Sequence, residues 1–173
     1  MDRAQLIAEL KLNHERFLAR ILALPAAQLD ATRAGKWTPA QHVDHIQRAT
    51  GPVAMALMVP KWFLRWRFGR PNRAVRDYDA LVQRYKEKLA DGGRASGRFV
   101  PPVITASEVP RIAASVQRVI GTLVDRLDKW SGSDLDSYLL PHPLLGKITV
   151  REMLYFTIYH VQHHQALVER DTA

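Results

Sequence analysis

Apolar residues in this chain recur at intervals of three and four, and nowhere do they alternate convincingly over a strand-length stretch. A period near 3.6 lays such side chains along one face of a helix, so the chain must fold by burying helix faces against one another. Leu6, Leu10, Phe17, Leu18, Ile21 and Leu22 define a first helix from residue 2 to about 24, closed by Pro25. Thr38-Pro39-Ala40-Gln41 is a capping box with proline at the first helical position. It starts a second helix that runs, with a break near Pro52 or Pro60, to about Phe68, where Gly69-Arg70-Pro71-Asn72 stops it. Tyr78 to Leu89 is a shorter helix with Leu81, Val82, Tyr85 and Leu89 on one side. Ser107 is placed to cap the next, which carries Ile112, Val116, Val119, Ile120, Leu123, Val124 and Leu127 and fades by Gly132. A second capping box, Thr149-Val150-Arg151-Glu152, opens a last helix from about Val150 to Arg170.

The pattern predicts an all-α protein: a four-helix bundle with an extra short helix, folded as a single domain over residues 1–173. The stretch between the second and third main helices is too long for a tight hairpin, which implies a long crossover connection. With 47% hydrophobic residues the chain can bury a sizeable core.

Composition narrows the function. The absence of cysteine removes disulfides, thiolate metal sites and cysteine nucleophiles, and fits a reducing, cytoplasmic setting. The first residues run straight into an amphipathic pattern with no signal-peptide signature. No apolar run is long enough for a transmembrane segment; residues 57–68 come nearest but contain Lys61, Arg65 and Arg67. The formal charge is +8, and much of the excess sits in Lys61, Arg65, Arg67, Arg70, Arg73 and Arg76, interleaved with Trp62, Phe63, Trp66 and Phe68. A membrane-surface helix and a nucleic-acid patch are two readings of that cluster. The plainer expectation is a helix end whose aromatics pack inward while its arginines are solvated, with no nucleic acid as partner. There is no phosphate-binding glycine loop, no H-E-x-x-H and no G-x-S-x-G. Asp125, Asp128, Asp134 and Asp136 cluster about the end of the third main helix, where solvated acids are common, and are not read as a catalytic pair.

The histidines carry the chemical signal. Seven are present, and five fall in two groups, His42/His45 and His160/His163/His164, each within a helix whose start is well marked. His160 and His164, four apart, share a face and can both reach one ion at about 2.0–2.1 Å. The apolar stripe of the last helix runs through Val150, Met153, Leu154, Thr157, Val161 and Val168. His164 lies on that stripe and His160 on its edge, whereas His163 projects off it. On the Thr38 helix, either His42 or His45 can supply a third ligand by periodicity alone. His14, His142 and His163 are read singly as ordinary core or surface residues.

Trp37-Thr38-Pro39-Ala40-Gln41 followed by His45-Ile46 resembles the second-helix signature of the DinB-like family, and His160-Val161-Gln162-His163-His164 resembles its last-helix signature. Phe68-Gly69-Arg70-Pro71-Asn72, the loop near Phe99-Val100-Pro101 and the run His142 to Thr149 resemble one bacterial branch of it, so the similarity spans residues 37 to 168 in order. The resemblance implies a four-helix bundle holding one divalent metal ion (zinc, nickel or manganese) through one histidine of the second helix and the i, i+4 pair of the fourth. By position these are His45, His160 and His164. It also implies a homodimer and, from some relatives, chemistry on a small-molecule substrate with a low-molecular-weight thiol. Many relatives carry a glutamine where this chain has Leu167, and Gln165 lies on another face, so a contact behind the ligands is either missing or made by another residue. Three neutral histidines leave a coordination position open, as in catalytic sites. The expectation is therefore a metal-dependent S-transferase or hydrolase, with a non-catalytic metal-binding or dimerising bundle as the alternative. His42, Tyr159 and Trp37 are candidates for substrate contact, and no residue is assigned as general base.

Overall fold

In the computed structural model, which describes residues 1–32 and 35–172, local chemistry starts each long helix where it should. Asp2 and Gln5 exchange side-chain and backbone hydrogen bonds to open α1 (Arg3–Leu22). Helix α2 (Ala26–Leu29) is a single turn. Thr38 and Gln41 form the expected box for α3 (Pro39–Ala56), which tolerates Pro52 in its last turns. The break falls at residues 57–60, and α4 (Lys61–Phe68) follows, ended by Gly69 at φ +85°, a conformation that glycine adopts without strain. Helix α5 (Tyr78–Ala90) is capped by Asp77. The next helix is prepared differently from expectation: Thr105 and Glu108, not Ser107, form the box, around a short 3-10 turn that leads into α6 (Val109–Leu127). Ser131 caps a further short helix, α7 (Gly132–Ser137). The last helix is α8 (Val150–Thr172).

Helices α1, α3, α6 and α8 form the bundle, with α1 packed against α6 and α8, and α3 packed against the same two. Helices α1 and α3 therefore face each other across the diagonal, as do α6 and α8. Two of the three connections cross the bundle, and the long one, residues 57–108, joins the neighbours α3 and α6. Helix α5 lies outside, on α8. Leu6, Leu10, Phe17, Ile21, Val43, Ile46, Val116, Leu123, Leu154 and Val161 meet in the centre. Each large apolar side chain buried there contributes roughly 1.5–3 kcal/mol. Among the described residues no helix is long and apolar enough to cross a membrane.

One element departs from the sequence reading. Strands β1 (Leu139–His142) and β2 (Gly146–Thr149) pair antiparallel, with Leu140 opposite Ile148 and His142 opposite Gly146. His142 Nδ1 accepts hydrogen bonds from the amides of Leu144 and Leu145, both at 3.1 Å, which closes the turn. Each strand is four residues long, and β1 buries consecutive residues at Leu139 and Leu140. No alternation therefore reaches a readable length.

The hairpin runs directly into α8, and Glu152 pins the junction. Its carboxylate is fully buried. It accepts from Arg73 Nη1 and Nη2 at 2.7 and 2.8 Å, from the Arg76 amide and guanidinium at 3.1 and 3.2 Å, and from the Thr149 amide at 2.9 Å. Burial pushes this carboxyl up, but the Arg73 guanidinium and the Thr149 and Arg76 amides outweigh it and hold it below its ordinary range. Arg73 and Arg76 thus anchor the segment after α4 to the start of α8, instead of being solvated.

Candidate metal centre

Helices α3 and α8, neighbours in the bundle, bring the histidine groups together. His42 and His45 lie one to two turns into α3, set by the Thr38 cap, and both are buried. His160 and His164 sit on the inner face of α8, one turn apart, and each is 5% exposed. His45, His160 and His164 each turn one ring nitrogen toward a common point, with the three nitrogens within 4.8 Å of one another. His160 Nε2 is 3.1 Å from His45 Nε2 and 3.1 Å from His164 Nε2. Two nitrogens bound to one tetrahedral ion at about 2.05 Å lie about 3.3 Å apart, so this spacing suits a shared cation.

Behind two of these rings stand fixed partners. The Nδ1–H of His45 donates to the carbonyl of Phe99 at 2.7 Å, which fixes its tautomer and leaves Nε2 bare. That carbonyl comes from the short 3-10 turn Gly97–Phe99 in the long connection. His164 Nδ1 is 2.7 Å from His42 Nδ1. His42 thus stands behind His164, on the ring nitrogen that faces away from the trio. Gln165 bonds Glu169 at 2.8 Å along the exposed side of α8.

Proton accounting shows that the three imidazoles do not satisfy one another. A hydrogen on His160 Nε2 serves one neighbour and leaves the other lone pair unmet. A hydrogen on His164 Nε2 instead leaves His45 and His160 facing each other lone pair to lone pair. An additional proton would charge a ring, and burial opposes that. It pushes His160 and His164 well below the usual imidazole value, and nearby histidines push them further in the same direction. Burial also lowers His45, against the opposing effect of the Phe99 carbonyl. His42 falls to about 4, through burial and then the charge of His45. The site thus presents neutral donors with available lone pairs, the state in which imidazole binds divalent metal.

Trp37 covers the cluster, its ring centroid 4.9 Å from that of His45 and parallel to His164 at 6.2 Å. A pocket of about 280 Å³ beside it is lined by Trp37, His42, Thr32, Val168 and Asp171, among others, but by none of the three converging histidines. Tyr159 lies elsewhere, stacked on His163 at 6.2 Å. His163 is half-buried and faces Tyr85 as well as Tyr159. His14 is buried on α1 with Nδ1 2.7 Å from the Leu10 carbonyl. The Phe99 carbonyl and the pairing of Arg73 and Arg76 with Glu152 had no readable signature. A carbonyl has none in any sequence, and Arg73 and Arg76 read as part of the surface charge.

A helical bundle with a convergent histidine triad between two facing helices is the class of protein this fold and site define. The chain belongs to the DinB superfamily, whose model matches residues 9–168. Among solved structures, TT2238, a four-helix bundle protein, is 20% identical with a TM-score of 0.62, covering 97% of this chain and 98% of its own. YfiT from Bacillus subtilis, described as a probable metal-dependent hydrolase with an unusual four-helix bundle topology, is 20% identical with a TM-score of 0.57, covering 98% of this chain and 85% of its own. A conserved protein from Enterococcus faecalis is 14% identical with a TM-score of 0.62, covering 99% and 95%. At these identities the likenesses establish the fold. No curated protein matches the chain.

Proposed function

We propose that this protein is a metal-dependent enzyme whose single domain holds one divalent ion through Nε2 of His45, His160 and His164. The observation that carries the reading is the trio of buried, neutral imidazoles whose lone pairs no tautomer satisfies. A cation satisfies all three at once, and the metal-dependent description of YfiT supports the same reading. An ion on three neutral histidines supplies Lewis acidity at a remaining coordination position. The chain's own residues do the rest. Phe99 and His42 hold two ligand rings in place, Trp37 shields the centre from bulk water, and the pocket beside Trp37 and His42 takes a small molecule. The reaction class is hydrolysis or transfer to a low-molecular-weight thiol, and the working form is a cytoplasmic homodimer.

The near-complete burial of the three histidines, and a pocket that stops at His42 and Trp37, favour a second reading: a closed, non-catalytic metal binder. Elemental analysis of protein purified without chelator or affinity histidine tag tests the first claim. One zinc, nickel or manganese ion per chain is expected, lost in both His45→Ala and His160→Ala/His164→Ala while helical circular dichroism persists. No uptake from added ions would sink it. Cobalt substitution separates the two readings. A d–d spectrum that shifts on adding a small thiol or azide indicates an open position, and an unresponsive spectrum a closed one.

A further inference from the structure

Helix α4 turns its aromatic side outward, against the expectation that these rings pack inward. Trp62 and Trp66, one turn apart, are 71% and 74% exposed. Phe63 bridges them, with ring centroids 5.9 Å from Trp62 and 5.5 Å from Trp66. Leu64, on the opposite side, is the buried residue that attaches the helix to the core. Met58, just before the helix, is also exposed. Two exposed indoles on one helical turn are a costly arrangement for a surface that only faces water.

The charge along this segment has one sign. No Asp or Glu occurs between Asp44 and Asp77. The cations on the inner side are engaged within the protein: Lys61 bonds Asp134 at 2.7 Å, Arg65 lies over Tyr138 at 4.7 Å, and Arg73 and Arg76 hold Glu152. Arg67 and Arg70 are exposed at the flank and end of the aromatic face.

We propose that the outer face of α4, formed by Trp62, Phe63 and Trp66 with Arg67 and Arg70, docks the protein peripherally on an anionic lipid bilayer. Indole rings favour the boundary between headgroups and acyl chains, where the ring body is buried and its N–H stays hydrated. A short helix lying along the surface with apolar side chains out and arginines beside them has the layout of an interfacial helix. Charge complementarity selects the anionic leaflet, since the segment has no acid to repel it and the chain as a whole carries +8. A second copy fits less well, because a twofold contact through this face would bring Arg67 and Arg70 of both copies together with no local carboxylate.

Co-sedimentation with vesicles tests this, independently of the metal site. The protein should pellet with vesicles of phosphatidylcholine and phosphatidylglycerol in equal parts and not with phosphatidylcholine alone, and added salt should release it. Trp62→Ser/Trp66→Ser should weaken binding at least ~10-fold, and Arg67→Gln and Arg70→Gln roughly fivefold each. All four positions are exposed, so circular dichroism, thermal midpoint and metal content should match wild type. Absence of vesicle binding at low salt, equal binding to neutral vesicles, indifference to these substitutions, or binding of single-stranded DNA without vesicle binding would each overturn the proposal.

Discussion

Two buried polar clusters lie on α8, and they differ in how completely the protein satisfies them. At the start of the helix, both oxygens of Glu152 are bonded by Arg73, Arg76 and Thr149, and its charge is balanced by two guanidinium groups. Two to three turns on, His160 and His164 meet His45 with more lone pairs than hydrogens to fill them. Both clusters bear the desolvation cost of buried polar groups, roughly 1–3 kcal/mol for each one left unpaired. The first recovers that cost from within the chain and is a fastening. The second does not recover it from within the chain, which is what the proposed metal site would account for.

Among the substitutions, removing Glu152 should have the largest effect. Glu152→Ala strands two arginines and removes one half of the capping box of α8, and a loss of about 3–5 kcal/mol in urea unfolding is expected. A change below about 1 kcal/mol would show that the clamp is not buried as described. Next comes His42. If it orients His164 toward an ion, His42→Ala should lower zinc affinity about 10- to 100-fold with stoichiometry and fold unchanged, read by competition with a chromophoric chelator. Unchanged affinity would reduce His42 to a pocket residue.

Acidification should weaken the metal-free protein through its buried histidines while leaving the Glu152 clamp in place. The folded imidazoles of His14, His42 and His142 lie at about 4 against an ordinary 6.5, chiefly through burial. Below pH 6.5 the unfolded chain therefore binds protons that the folded chain refuses. Stability of the metal-free protein should fall by about 1.4 kcal/mol per pH unit for each such histidine down to about pH 4. Glu152 is shifted in the same direction, below its ordinary 4.5, so its contribution is intact down to about pH 4.5 and is lost only as the pH falls further. Urea midpoints at pH 7.5, 6 and 5 should decline across the series, and a flat series would contradict the burial of these rings.

Much of the frame was legible in the sequence because its determinants are local. Thr38/Gln41 and Thr149/Glu152 read as boxes and form them, and the stripe through Val150, Leu154 and Val161 put His160 and His164 inside. What stayed hidden depends on distant partners. The choice of His45 over His42 rested on resemblance, since both are buried and only the direction of each ring separates them. The roles of Arg73 and Arg76 required knowing that Glu152 would come to them. The outward turn of Trp62 and Trp66 ran against the usual behaviour of indoles, because Leu64 and Phe68 are the apolar residues of α4 that pack on the core. The hairpin was missed because four-residue strands hold too little pattern.

The diagonal crossing of the bundle also bears on how the protein comes into being. His45 and His160 are 115 residues apart, and every element between them must be synthesised before they meet. A ribosome-bound chain that has completed α3 carries that histidine as a lone, unselective imidazole. With the metal site as proposed, ion choice is thereby deferred to the finished molecule, where rigid spacing, and not the order in which metals encounter a growing polypeptide, sets what is retained.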